Sequence, residues 1–128
     1  MKIEHIAIWT KDLEKMRRFY MKFFNLKSNE KYYNPKKKFS SYFLKFENGP
    51  RIELMHRPNL SEFVEKSKTE LGLVHFAISV GTKEKVDSLT ELFRENGIVI
   101  IGEPRTTGDG YYESVIADPE GNLIEITK

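Results

Sequence analysis

Apolar residues recur with two periods along the chain, and the two periods follow each other in the same order in both halves. Residues 3–8, Ile-Glu-His-Ile-Ala-Ile, alternate between faces as a half-buried strand does. Leu13, Met16, Tyr20, Phe23 and Phe24 then fall on one face of a helix. The order repeats with Leu-Val-His-Phe-Ala-Ile at 73–78, where His75 lies 70 residues after His5, and with Val86, Leu89, Leu92 and Phe93 on a second helical face. Asp12 (or Thr10) and Thr82 predict helix N-caps, and Gly97 predicts a helix stop.

The halves also end alike. Glu47-Asn48-Gly49-Pro50-Arg51-Ile52-Glu53-Leu54 matches Pro119-Glu120-Gly121-Asn122-Leu123-Ile124-Glu125-Ile126, each with a glycine turn and a glutamate four residues after the glycine. Between helix and last strand there is room for two further strands, at 26–33 and 39–46 in the first half and at 98–103 and 111–117 in the second. Each half therefore reads βαβββ. The prediction is one α+β domain over residues 1–128, made of repeats 1–57 and 71–128 joined by a linker at 58–70, with a short helix expected over 61–69. Neither repeat can bury both faces of its sheet alone. Two copies side by side would make a curved eight-stranded mixed sheet, with helices outside and a concave, ligand-accepting trough inside.

Composition narrows the chemistry. With no cysteine, disulfides, thiolate ligands and thiol nucleophiles are excluded, so any metal must be held by His, Asp or Glu. Lys and Arg number 21 against 19 Asp and Glu, and no long basic stripe forms, which argues against nucleic acid. Lys36, Lys37 and Lys38 beside Pro35 read as a solvated turn. No apolar run approaches the ~20 residues that span a bilayer. The N-terminus runs into a strand without a signal-peptide core. A cytoplasmic protein acting on a small molecule is expected.

Strand alternation gathers the chemistry. Where Ile6 and Ile8, Ile52 and Leu54, Phe76 and Ile78, and Ile124 and Ile126 face the helices, the opposite face carries His5, Glu53, His75 and Glu125. Converging carboxylates are costly without a compensating cation. Two neutral imidazoles and two carboxylates balance a divalent ion, so His5, Glu53, His75 and Glu125 are the expected ligands of one metal. Nitrogen and oxygen donors without sulfur suit Ni²⁺, Co²⁺, Zn²⁺, Mn²⁺ or Fe²⁺. Such an ion acts as a Lewis acid on a bound carbonyl or enediolate oxygen, and Glu53 or Glu125 can serve as the base on an adjacent C–H. His56, three residues from Glu53, reads as a residue of the opposite strand face or of the surface loop beyond the strand.

The paired His-apolar-Ala-Ile strands and the segment Asp118-Pro119-Glu120-Gly121-Asn122-Leu123-Ile124-Glu125 resemble the vicinal oxygen chelate superfamily, the group of glyoxalases, bleomycin-resistance proteins and dioxygenases. The resemblance covers essentially the whole chain, and the His, Glu, His, Glu set is similar to that of its glyoxalase I (lactoylglutathione lyase-type) members. It implies a metal-dependent lyase or isomerase that acts on a hemithioacetal-type carbonyl adduct through a metal-stabilised enediolate, and a homodimer. Trp9 stands where glutathione-using bacterial members carry Arg. Trp9, Arg51, Arg105, Tyr111 and Tyr112 are candidate substrate contacts, the last three around a glycine-rich turn expected at 102–113. The alternatives are a protein that sequesters a ligand or antibiotic without turnover, and an acyl-thioester epimerase, against which Glu53 in place of the usual Gln weighs.

Overall fold

A computed structural model describes residues 1–61 and 72–128. The chain divides into two compact units, Met1–Val64 and Glu65–Lys128. The helix expected over 61–69 lies outside the described residues but for Ser61. Both units are α+β modules with mixed sheets: the second carries the predicted βαβββ order, and the first carries it with its second strand split in two.

In the first unit β1 (His5–Trp9) is followed by α1 (Leu13–Phe24), β2 (Lys27–Ser28), β3 (Tyr32–Asn34), β4 (Phe39–Lys45) and β5 (Arg51–His56). In the second, β6 (His75–Ser79) leads to α2 (Lys83–Glu95), β7 (Ile100–Thr106), β8 (Tyr112–Ala117) and β9 (Leu123–Thr127). The helices start where the caps predict: the Asp12 carboxylate accepts from Lys15 N at 2.9 Å and the Thr82 hydroxyl from Lys85 N at 3.3 Å. Gly97, at φ +72°, ends α2 in the left-handed conformation, and Ile98 N returns to the Phe93 carbonyl.

Hydrogen bonding corrects the single eight-stranded sheet to two sheets, ordered β1-β5-β4-β2 with β3 also on β4, and β6-β9-β8-β7. Each module's first strand finds a parallel partner in that module's own last strand, so each ladder closes within its repeat. The strand expected at 26–33 is also broken in two. Between the pairs Ser28↔Leu44 and Tyr32↔Ser41 the first strand advances one residue further than its partner, a bulge. Asn29 fixes it, its side chain accepting from Phe43 N at 2.7 Å while its own N–H donates to the Phe43 carbonyl. The glycine-rich turn shrinks as well. Residues 102–106 belong to β7, an edge strand that tolerates Pro104, and only 107–111 make the turn.

Each core lies between a helix and one face of its sheet. In the first unit Leu13, Met16, Phe19 and Tyr20 pair with Tyr42, Leu44, Ile52 and Leu54. In the second, Val86 and Phe93 meet Ile116, Ile124 and Ile126, all fully buried. A buried side chain of this kind contributes about 1.5–3 kcal/mol. Three helical-face assignments change. Phe19 joins the buried face of α1. Leu92 is exposed, and Thr90 is buried in its stead, its hydroxyl bonded to the Val86 carbonyl and to the Ser114 hydroxyl, each at 2.7 Å. Polarity misled the pattern here because the hydroxyl finds its partners inside.

Candidate functional site

With Ile52, Leu54, Ile124 and Ile126 packed against the helices, the opposite sheet faces are set by alternation. In β1 and β5 the register pairs His5 with Arg51 and Ala7 with Glu53; in β6 and β9 it pairs His75 with Leu123 and Ala77 with Glu125. The repeat is thus kept down to the register. Each glutamate faces an alanine across the ladder and a histidine on the diagonal.

The donors meet in twos. His5 Nε2 lies 3.8 Å from Glu53 Oε2, and His75 Nε2 lies 3.2 Å from Glu125 Oε2. The glutamate side chains are largely buried, at 16% and 19% exposure, and the imidazoles are more open, at 39% and 42%. Among the described residues no group of three or more His, Asp or Glu is assembled to hold a metal. The chemistry of each pair nevertheless fits a cation. An ion bonded at about 2.0–2.2 Å to each donor holds two donors ~3 Å apart at a right angle and ~4 Å apart when opposed, a range that includes both separations.

The turn before β9 explains why its motif precedes a donor strand. Asp118, 4% exposed, accepts from Glu120 N at 3.0 Å, Asn122 N at 2.9 Å and Asn122 Nδ2 at 2.8 Å, while Gly121 takes φ +86°. One carboxylate folds the turn that delivers Glu125. In the first module Phe46 holds the equivalent position, and Gly49 at φ +108° makes the turn.

Two acidic residues beside the donors escape a reading based on repeats. Glu4 accepts from His5 Nδ1 at 2.5 Å and pairs with Arg51. Its carboxyl is held below the usual range, first by the His5 hydrogen bond and then by Arg51. Glu113, 7% exposed, lies on the same sheet face as Glu125, one cross-strand step from it. Burial, followed by the charge and hydrogen bond of Glu125, raises its carboxyl above the usual range against the pull of Arg105. Period-two alternation back from Glu125's cross-strand neighbour Val115 would have found Glu113; for Glu4 the only signal was adjacency to His5.

The candidate substrate residues scatter. Trp9 shares the β1 face with His5, packs edge-on to Phe39 and lies under the Arg57 guanidinium. Arg51 is turned to Glu4 and stacks on Phe43 at 4.1 Å. Arg105 reaches Glu113 at 3.4 Å across Gly102, where an added Cβ would stand 2.9 Å from its Nη1. Tyr111 is exposed in the turn. Tyr112 points to α2, its hydroxyl donating to Asp87 at 2.7 Å, on the sheet face away from Glu125. His56 ends β5 rather than lying in a loop, and its Nδ1 bonds the Thr10 carbonyl at 2.8 Å.

The fold has well-characterised counterparts. It superposes on the trypanothione-dependent glyoxalase I of Leishmania major with a TM-score of 0.80 at 23% identity, over 100% of this chain and 86% of that one. Glyoxalase I of Zea mays gives 0.78 at 25% identity over 98% of this chain and 44% of the maize chain, so the present chain spans under half of that enzyme. Lactoylglutathione lyase of Agrobacterium tumefaciens gives 0.70 at 24% identity, covering 98% and 91%. No curated protein matches by sequence. The family model of the Glyoxalase/Bleomycin resistance protein/Dioxygenase superfamily matches residues 2–126, nearly the whole chain. By that match, and by a fold built from two such modules, the chain belongs to the glyoxalase/bleomycin resistance protein/dioxygenase superfamily.

Proposed function

We propose that the chain is a metal-dependent lyase or isomerase of the glyoxalase I type, acting on a hemithioacetal-like adduct of a small carbonyl compound, with His5, Glu53, His75 and Glu125 as the donors to one divalent ion. The observation that carries this reading is the repeat-related pairing of imidazole nitrogen with carboxylate oxygen, at 3.8 Å and 3.2 Å, on two parallel strand pairs of equivalent register. The names of the structural counterparts support the same reaction class.

When bound, a divalent ion of the Ni²⁺, Co²⁺, Zn²⁺, Mn²⁺ or Fe²⁺ kind supplies Lewis-acid polarisation of the substrate carbonyl. The protein residues divide the remaining work. His5 and His75 are holding groups, because a nitrogen that donates its lone pair to a cation cannot also take a proton there. A carboxylate has a second oxygen, so Glu53 or Glu125 takes the proton from the carbon beside the carbonyl and returns it to the neighbouring carbon. Trp9, Arg51, Arg105 and Tyr111 remain the proposed substrate contacts, whereas Tyr112, turned to α2 on the face away from Glu125, is withdrawn from that set. We take the protein to be a cytoplasmic homodimer; among the described residues no helix is long and apolar enough to cross a membrane.

Turnover of methylglyoxal with a panel of thiols, on protein reconstituted with each ion, tests the proposal. Glu53→Gln and Glu125→Gln keep shape and a weak oxygen donor but lose basicity, and at least one should lose about 10²–10⁴-fold in rate. Metal-loaded Gln variants that both turn over like the wild type would place the base elsewhere. Tight ligand binding without turnover would favour the sequestering alternative.

A further inference from the structure

The two half-sites differ in what stands behind the histidine. Glu4 O accepts from Arg51 N at 2.9 Å, its carboxylate pairs with the Arg51 guanidinium, that guanidinium lies on the Phe43 ring at 4.1 Å, and Phe43 meets the His5 ring edge-on at 5.5 Å. The circuit closes with His5 Nδ1 on Glu4 at 2.5 Å. In the second module the equivalent positions are Val74 for Glu4, Leu123 for Arg51 and Val115 for Phe43. The fold therefore does not need the circuit, because its own repeat does without all three members.

We propose that Glu4 is a positioning residue that sets the tautomer and ring orientation of His5 for metal binding. An ionised carboxylate can only accept, so the shared hydrogen sits on Nδ1. The neutral imidazole then carries its lone pair on Nε2, the atom that faces Glu53. Arg51 holds the carboxylate in place, and Phe43 restricts ring rotation. Such partners of a ligating histidine fix its tautomer and raise its basicity, and their loss costs about 10–100-fold in metal affinity. His75, with Val74 before it, has no such partner among the described residues, so its tautomer is left to the ion itself. His5 is thus the preorganised ligand of the pair. The inference rests on the proposed metal-binding reading and adds the residue that prepares one ligand.

The test compares wild type with Glu4→Val, which copies the second module, and with Glu4→Gln, which can still accept from Nδ1–H. Zn²⁺ affinity is read by chelator competition, and the imidazole tautomers by long-range ¹H–¹⁵N correlation in the metal-free protein. Glu4→Val should bind Zn²⁺ about ten- to a hundredfold more weakly and lose the single Nδ1–H form of His5, with His75 unaltered. Glu4→Gln should fall between, and carries the test should Glu4→Val not fold. A wild type that binds Zn²⁺ alongside variants of equal affinity and unchanged His5 tautomer overturns the inference and leaves the metal reading standing. A wild type that takes up no divalent ion removes that reading, and this one with it.

Discussion

Replacing Asp118 by Ala should destabilise the protein by about 2–4 kcal/mol. Among the described residues the side chain accepts from Glu120 N, Asn122 N and Asn122 Nδ2, at 2.8–3.0 Å. Bonds to a charged acceptor contribute about 1.5–3 kcal/mol each, so simple addition would give more than the expected figure. Two effects reduce it. Glu120 and Asn122 are only half-buried, so their freed groups can reach water, and removing a carboxylate that is 4% exposed also removes its desolvation cost. For a chain of this size the loss corresponds to roughly 6–14 °C in Tm. Asp118→Asn keeps the Oδ1 acceptor for two amides but sets a donor against Asn122 Nδ2, so about half the loss is expected. Urea denaturation followed by circular dichroism, with a thermal scan beside it, reads both. If Asp118→Ala unfolds within about 0.5 kcal/mol of the wild type, the turn does not depend on this carboxylate, and the account of why the motif precedes Glu125 is wrong.

Two further outcomes follow from the cores and surface. Thr90→Val should cost about 1–3 kcal/mol by stranding the buried Ser114 hydroxyl, whereas Thr90→Val combined with Ser114→Ala should recover most of it; strictly additive losses in that double-mutant cycle would show that the 2.7 Å bond carries no coupling. At Glu14, burial raises the carboxyl, but hydrogen bonds from Lys31 and Tyr42 and the charges of Lys31 and Arg17 outweigh it and hold the group below its usual value. A depressed carboxylate stabilises fully above its unfolded value and loses that contribution as pH falls through the folded one. Because the side chain is 41% exposed, the advantage over Glu14→Gln should stay under about 1 kcal/mol near neutrality and vanish in acid; a gap that widens on acidification contradicts the assignment.

The sequence exposes most of the fold because the repeat doubles every signal. His5 and His75, Glu53 and Glu125, and the caps Asp12 and Thr82 each support a counterpart, and strand alternation then assigns their faces. What stayed hidden is what one copy alone possesses. The Asn29 bulge splits a strand through a side-chain bond to Phe43 that no periodicity encodes. Thr90 looks polar yet is buried, because its partner Ser114 is 24 residues away. Glu4, Arg51 and Phe43 converge through pairing of β1, β5 and β4, a long-range register that local pattern cannot supply. The break into two sheets follows from the same pairing.

The central claim is that His5, Glu53, His75 and Glu125 bind one divalent ion together. Elemental analysis of gel-filtered protein, after reconstitution with Ni²⁺ or Zn²⁺, tests it most directly when wild type is set beside His5→Ala with His75→Ala. The account predicts one ion per chain in the wild type and none retained in the double variant; a wild type without metal, or a double variant that keeps its full complement, would contradict it.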